Sequence, residues 1–342
     1  METQARTGDW RITTLGTAIV QSRFRTLARP ATPFELMDDA VSYYRENFKP
    51  LFRISLWVYL IPIVFSLLLL APIVYFETSG SNPLALMLLD YLGLFLLLPY
   101  LFVAPIVEAA FITLAFRMIA IGEPITFRAL WERLKPRFWH LIANQLLATL
   151  ALGGLYTVLF LGYFLLLLAA LFGVAALVGN SSTLGIILVS TLWLIITIPT
   201  LVLAALINVW FLILPQIVVL EENTDAITAF SRALALVRPN LKHAVLSCLA
   251  FWGAQTVFML SVMFLAFLIL GIVMAIIAIY ADPEQIFTRW WLTINQLYES
   301  LSYVAYMFVM PAMYLTSILL YFDLRYRNEG LDIYEILQRG EG

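Results

Sequence analysis

Few side chains in this 342-residue chain are of a type that does chemistry in an apolar setting. Glu108 is the foremost. It is the one carboxylate well inside a long apolar run, APIVEAAFITLAF, nine residues before Arg117 and so roughly 13 Å from it along a helix. An acid at such depth is either a proton or cation site or a hydrogen-bonded strut between helices, and both readings stay open. Asn144, Gln145, Asn208 and Gln255 also fall within apolar runs. Amides there either bond between helices, for about 1 kcal/mol or less each, or line a cavity. Glu108, Asn144, Asn208 and Gln255 together form the candidate intramembrane polar site.

His140 and His243 occupy matching positions, four residues after a basic-Pro step. Two imidazoles are too few for a zinc site, and no acid or cysteine completes the set. Anchoring at a membrane interface is the plainer role. The single cysteine, Cys248, excludes an intramolecular disulfide and reads as a small buried hydrophobe. No Walker loop, GxSxG, HExxH, dinucleotide fingerprint or CxxC occurs. With two histidines and scarce buried acids, little is left for acid–base catalysis. No catalytic residue, cofactor or metal is expected, and the chain reads as a non-enzyme.

The elements that must position these residues are set by composition. The chain is 62% hydrophobic and 12% charged, with mean hydropathy +0.91. Soluble domains carry about 25% charged residues, so this much apolar surface calls for a bilayer. Six runs reach the roughly 20 apolar residues that span about 30 Å of hydrocarbon: 51–76, 91–119, 138–178, 184–219, 241–280 and about 292–322. They lack the alternation of a membrane barrel and are expected to be helices. The net charge of −2 excludes a nucleic-acid partner.

Three short amphipathic runs, 34–48, 126–134 and 226–237, each meet a basic residue and a proline before an apolar run begins. The steps are Lys49-Pro50, Lys135-Pro136 and Arg238-Pro239. Pro50 is expected to end the first amphipathic helix. Thr32-Pro33-Phe34-Glu35 carries a capping-box start. The pattern predicts an all-α integral membrane protein: six transmembrane helices in three hairpins, each preceded by a cytoplasmic amphipathic interfacial helix, an internal triplicate repeat. The expected layout is a basic arm over 1–31, three helix-plus-hairpin units over 32–121, 122–222 and 223–322, and a C-terminal segment over 323–342. That segment begins a fourth amphipathic run at 331–337. The arm carries Arg6, Arg11, Arg23, Arg25 and Arg29 without the apolar core of a signal peptide. It is expected to set topology or attract anionic lipid.

Of 20 Lys and Arg, eight lie up to Arg53, five from Arg117 to Arg137, three from Arg232 to Lys242 and three from Arg325 to Arg339, leaving Arg289 opposite. The positive-inside rule then places both termini on the cytoplasmic side. Pro199, Pro215 and Pro311 are expected to kink long spans, and Gly153-Gly154 to interrupt the third. Trp290 and Trp291 suit an outer aromatic belt, and Trp57, Trp131 and Trp139 an inner one.

The segment SILLYFDLRYRNEGLDIYEI carries a further signal in Tyr321, Asp323, Leu324, Arg325, Arg327, Glu329, Gly330 and Asp332. It resembles the closing signature of a group of uncharacterised prokaryotic multi-span membrane proteins. That group is related to the membrane domain attached to some glycerophosphodiester phosphodiesterases. The opening TPFELMDDAVSYYRENFKPLF is similar to that group's start. The resemblance implies a prokaryotic cytoplasmic membrane and brings no known chemistry. The chain carries no phosphodiesterase domain, so that activity is not expected. Asp323, Arg325 and Arg327 are expected to hold the end of the last span by ion pairs, with Gly330 permitting the turn.

These features point to an accessory or scaffold protein whose partners are the lipid bilayer and other membrane proteins. The rival is a transporter or lipid-handling protein with a cavity among the repeats. A polar-lined cavity reaching Glu108 would favour the rival, and dry packing throughout the scaffold.

Overall fold

The computed structural model describes residues 30–78, 83–178, 182–221, 224–278 and 291–330, and all regular elements among them are helical. Residues 1–29 of the basic arm, Arg289, Trp290, the indole of Trp291 and the run at 331–337 lie outside the described residues.

Helix α1 (Pro33–Glu46) starts as a capping box: Glu35 N–H donates to Thr32 Oγ1 at 3.3 Å and Thr32 N–H to Glu35 Oε2 at 2.8 Å. Its buried face is Leu36, Ala40, Tyr43 and Tyr44, the i, i+4, i+7, i+8 spacing of one helical stripe. It ends at Asn47, whose side chain donates to the Tyr43 carbonyl at 3.0 Å. The break therefore falls three residues before Pro50. Pro50 sits in the first turn of α2 (Phe48–Thr78), where a missing N–H costs nothing.

The second short helix, α4 (Phe127–Leu134), is capped by Thr126, and the third, α8 (Ala226–Val237), by Asp225. Both run straight into a single 3₁₀ turn at the basic-Pro step, Lys135–Arg137 and Arg238–Asn240.

The long helices are α2, α3 (Pro83–Ala120), α5 (Phe138–Val178), α6 (Ser182–Leu212) continued by α7 (Leu214–Leu220), α9 (Leu241–Ala278) and α10 (Trp291–Glu329). Six segments are long and apolar enough to cross a membrane. Three details differ from the sequence expectation. Gly153-Gly154 does not interrupt α5, because a glycine costs only about 1 kcal/mol and a helix in hydrocarbon has no other way to satisfy its backbone. The fourth span is broken at Ile213, two residues before Pro215. The last helix continues past Phe322 to Glu329, so Asp323, Arg325 and Arg327 are helical.

The helices close into a ring. Each hairpin's first span packs on the second span of the hairpin before it: α2 on α10, α5 on α3, and α9 on α6. The short helices follow the same order: α1 packs on α10, α4 on α3, and α8 on α7. The second spans α3, α7 and α10 meet one another at the centre. Burial follows position, with 61% of the apolar window of α10 buried and 0% of that of α5. Gly93 allows α3 to approach α2, since a Cβ there would stand 2.6 Å from Leu69 Cδ1.

The main core gathers at the end of the bundle carrying the charged residues, from Leu36 through Ala110–Met118, Ile213–Val219, Ala229–Val237 and Leu315–Leu324. Between 149 and 203, by contrast, no described residue is buried.

Candidate functional site

Polar residues inside the bundle sort into four places. Glu108, fully buried on α3, accepts from the Ser55 hydroxyl and lies beside the Tyr59 phenol, both of α2. The phenol of Tyr100 donates to the Val58 carbonyl at 2.5 Å beside them, and that of Tyr314 to the Pro105 carbonyl at 3.1 Å. Glu108 is thus walled by hydroxyls between two helices.

On the neighbouring face of α3 lies a half-enclosed cavity of about 230 Å³. Its polar lining is Gln145 of α5, Gln216 of α7, Gln255 of α9, and Tyr314 and Ser317 of α10, among Phe211, Phe251, Met310 and Met313. The break at Ile213 explains one wall. Pro215 has no N–H, so the Phe211 carbonyl near the end of α6 loses its i+4 donor. The Gln216 amide donates to the Leu212 and Ile213 carbonyls at 3.1 Å each, while its oxygen accepts from Ser317 Oγ at 2.7 Å. A side chain here does what water would do outside the membrane.

The four sequence candidates do not converge. Gln255 lines the cavity together with Gln145. Glu108 does not line it. Asn208 donates to the Ala204 carbonyl of its own helix at 2.9 Å. Asn144 is buried, and its Oδ1 has no hydrogen-bond partner among the described residues. Sequence reasoning missed Gln216, whose signal was an amide directly after an intraspan proline. It also missed Ser66, Gln296 and Ser300, which join α2 to α10 far from the charged end. There Ser66 Oγ lies 2.8 Å from Ser300 Oγ and accepts from the Gln296 amide.

At the charged end the closing signature forms a clasp. Asp323, with 1% of its side chain exposed, accepts Arg327 Nε at 2.7 Å and the Ala31 N–H at 2.9 Å, and lies 2.8 Å from His243 Nε2. Arg327 also donates to the Ala31 carbonyl at 2.7 Å. Arg325 pairs with Glu329 at 2.8 Å and donates to the Tyr321 phenol at 3.1 Å. Tyr321 donates to Glu221 at 2.9 Å, and Arg232 of α8 bridges Glu221 and Glu329. Asn328 donates to the Leu236 carbonyl at 2.7 Å. Gly330 then turns the chain at φ +66°, where a side chain would be strained.

His243 meets Asp323. Hydrogen bonds from the Thr228 side chain and backbone, and then from the Ile227 backbone, hold the Asp225 carboxyl below its usual value. Among the described residues no three His, Cys, Asp or Glu side chains are grouped to hold a metal. On α1, burial and then the charges of Asp38 and Glu35 push the Asp39 carboxyl up to about 6.

Among the described residues six helical segments of membrane-crossing length and composition define a multi-pass helical membrane protein. No protein-family model, curated protein or solved structure matches the chain.

Proposed function

We propose that the protein is a non-enzymatic accessory or scaffold protein of the membrane, which docks a transmembrane helix of another protein against its α5–α6 hairpin. One observation carries this. Between α5 and α6 lies an open groove of about 520 Å³ lined by Tyr156, Thr157, Tyr163, Thr197 and Thr200. Exposed apolar side chains alone would be ordinary in lipid. Here, however, Gly153 and Thr157 are exposed four residues apart on one face of α5, and a Cβ at Gly153, Gly154 or Gly162 would meet nothing within 4 Å. Small residues at i, i+4 let helix backbones approach closely, and packing of that kind drives association in membranes. A photo-crosslinking residue at Phe160, in native membranes, should give one discrete protein adduct. Lipid adducts alone would sink the reading.

A specific observation also favours the lipid-handling or transport alternative, namely the glutamine-lined cavity beside the broken helix α6–α7. Broken helices build binding sites in transporters. The cavity stops short of Glu108, whose hydroxyl shell suits a strut, so this reading stands second. Removing part of the cavity's polar lining by Gln255→Leu should leave the scaffold's partner unchanged. Losing a transport phenotype with the partner retained would promote the second reading.

The cyclic packing and the three side-chain-capped short helices support descent by triplication. The charged end is cytoplasmic on this reading, the short helices lie at the interface, and the membrane is the prokaryotic cytoplasmic membrane. The kinship with phosphodiesterase-linked membrane domains belongs to the same proposal and rests on the signature that builds the clasp.

A further inference from the structure

A second cavity opens at the charged end, about 290 Å³ in volume, where the last turn of α3 meets α4 and the Lys135–Arg137 turn. Three guanidiniums, Arg117, Arg133 and Arg137, line it with one carboxylate, Glu123. Local structure sets each in place. Gly122, at φ +75°, turns the chain out of α3 so that Glu123 faces Arg133 across 2.5 Å. Pro136 starts the turn that points Arg137 under α7, where it donates to the Val219 carbonyl at 2.5 Å and the Glu221 carbonyl at 3.4 Å. The lining side chains are three cations and one anion, and the guanidiniums of Arg133 and Arg137 are already oriented by Glu123 and by backbone carbonyls. Apolar groups border it. Leu114, Ile121, Leu134, Pro136 and Val219 make up that border.

We infer that this cavity binds the phosphate group of an anionic phospholipid, with the acyl chains running along the apolar rim. A guanidinium cluster matches phosphate oxygens geometrically as well as in charge. Basic pockets between spans at the membrane surface suit headgroups of this class. The apolar rim selects a lipid over a small dissolved anion. The inference is independent of whether a partner docks at α5–α6.

Purified full-length protein in gentle detergent should retain phosphatidylglycerol in preference to phosphatidylcholine, as read by native mass spectrometry. Two substitutions delete the same Arg133–Glu123 pair yet should move binding in opposite directions. Arg133→Gln should weaken phosphatidylglycerol binding about fivefold, and Glu123→Gln should tighten it by about the same factor. A merely structural pair would make both variants shift alike. Equal retention of the two lipids, parallel shifts, or displacement of the lipid by millimolar inorganic phosphate would each overturn the assignment. The last would mark a site for a free anion.

Discussion

At its charged end the bundle is tied by side chains from α7, α8, α9 and α10 and by the backbone of Ala31. Along the α5–α6 hairpin, not one described residue between 149 and 203 is buried. The two regions use opposite physics. The clasp takes charged groups out of water and must therefore satisfy nearly every one of them, so each member depends on the others. The hairpin sheds its apolar surface into lipid, which asks nothing of the neighbouring spans. One region fixes which helices meet, and the other leaves a face available to a partner.

The contrast predicts a gradient of sensitivity, read by thermal unfolding in detergent. Asp323→Ala should have the largest effect. It strands Arg327 and the Ala31 N–H, and breaking a buried pair costs about 3–5 kcal/mol. Loss of the folded species on size exclusion is the expected outcome, and a near-native melting curve would remove the clasp from the account. Gln216→Ala should cost less, about 1–3 kcal/mol, by removing the amide that bonds the Leu212 carbonyl and Ser317 Oγ. Glu108→Gln keeps the shape of the buried side chain and its Ser55 and Tyr59 partners, so a loss under about 1 kcal/mol is expected. A large loss would mean that its charge, rather than its hydrogen bonds, holds α3 to α2. Thr157→Val in the groove should leave monomer stability within about 0.5 kcal/mol, and a larger shift would place the hairpin among the structural elements.

The smallest effect concerns pH. Burial raises the Asp39 carboxyl from its usual 3.8 to about 6. Between those values the folded state holds more protons at this position than the unfolded one, so this group's contribution to stability falls as pH rises from about 4 through 6. Asp39→Asn should flatten that slope and stabilise the protein above pH 6. An unchanged slope would assign it to other groups.

Much of the architecture was legible because hydrocarbon imposes it. Twenty apolar residues between turns become a helix whatever their neighbours, and Thr32 and Glu35 announce the start of α1 within four residues. Contacts across the chain were not legible. Asp323, Arg325 and Arg327 stood out as a charged cluster. Yet Glu221 and Arg232, which complete the clasp, are about a hundred residues from Tyr321 and Glu329 and carry no local pattern. The intramembrane polar residues failed as a group for a related reason. Periodicity places an amide in a span, but rotation about the helix axis decides whether it faces a cavity, as Gln255 does, or its own backbone, as Asn208 does. The break at Ile213 shows the intermediate case. Pro215 signalled a disturbance, while the Gln216 amide, bonded to the Leu212 and Ile213 carbonyls and to Ser317, ties the break to α10.

The most direct measurement is the native mass of the protein drawn from its own membranes in gentle detergent, compared with a variant whose exposed small-residue face on α5 is filled by Gly153→Leu. The account predicts that the wild-type chain carries a protein partner in fixed stoichiometry and that the variant, equally stable, emerges without it. A wild-type chain that emerges alone or with lipid only, or a variant that keeps the same partner, would contradict the docking role of the α5–α6 face.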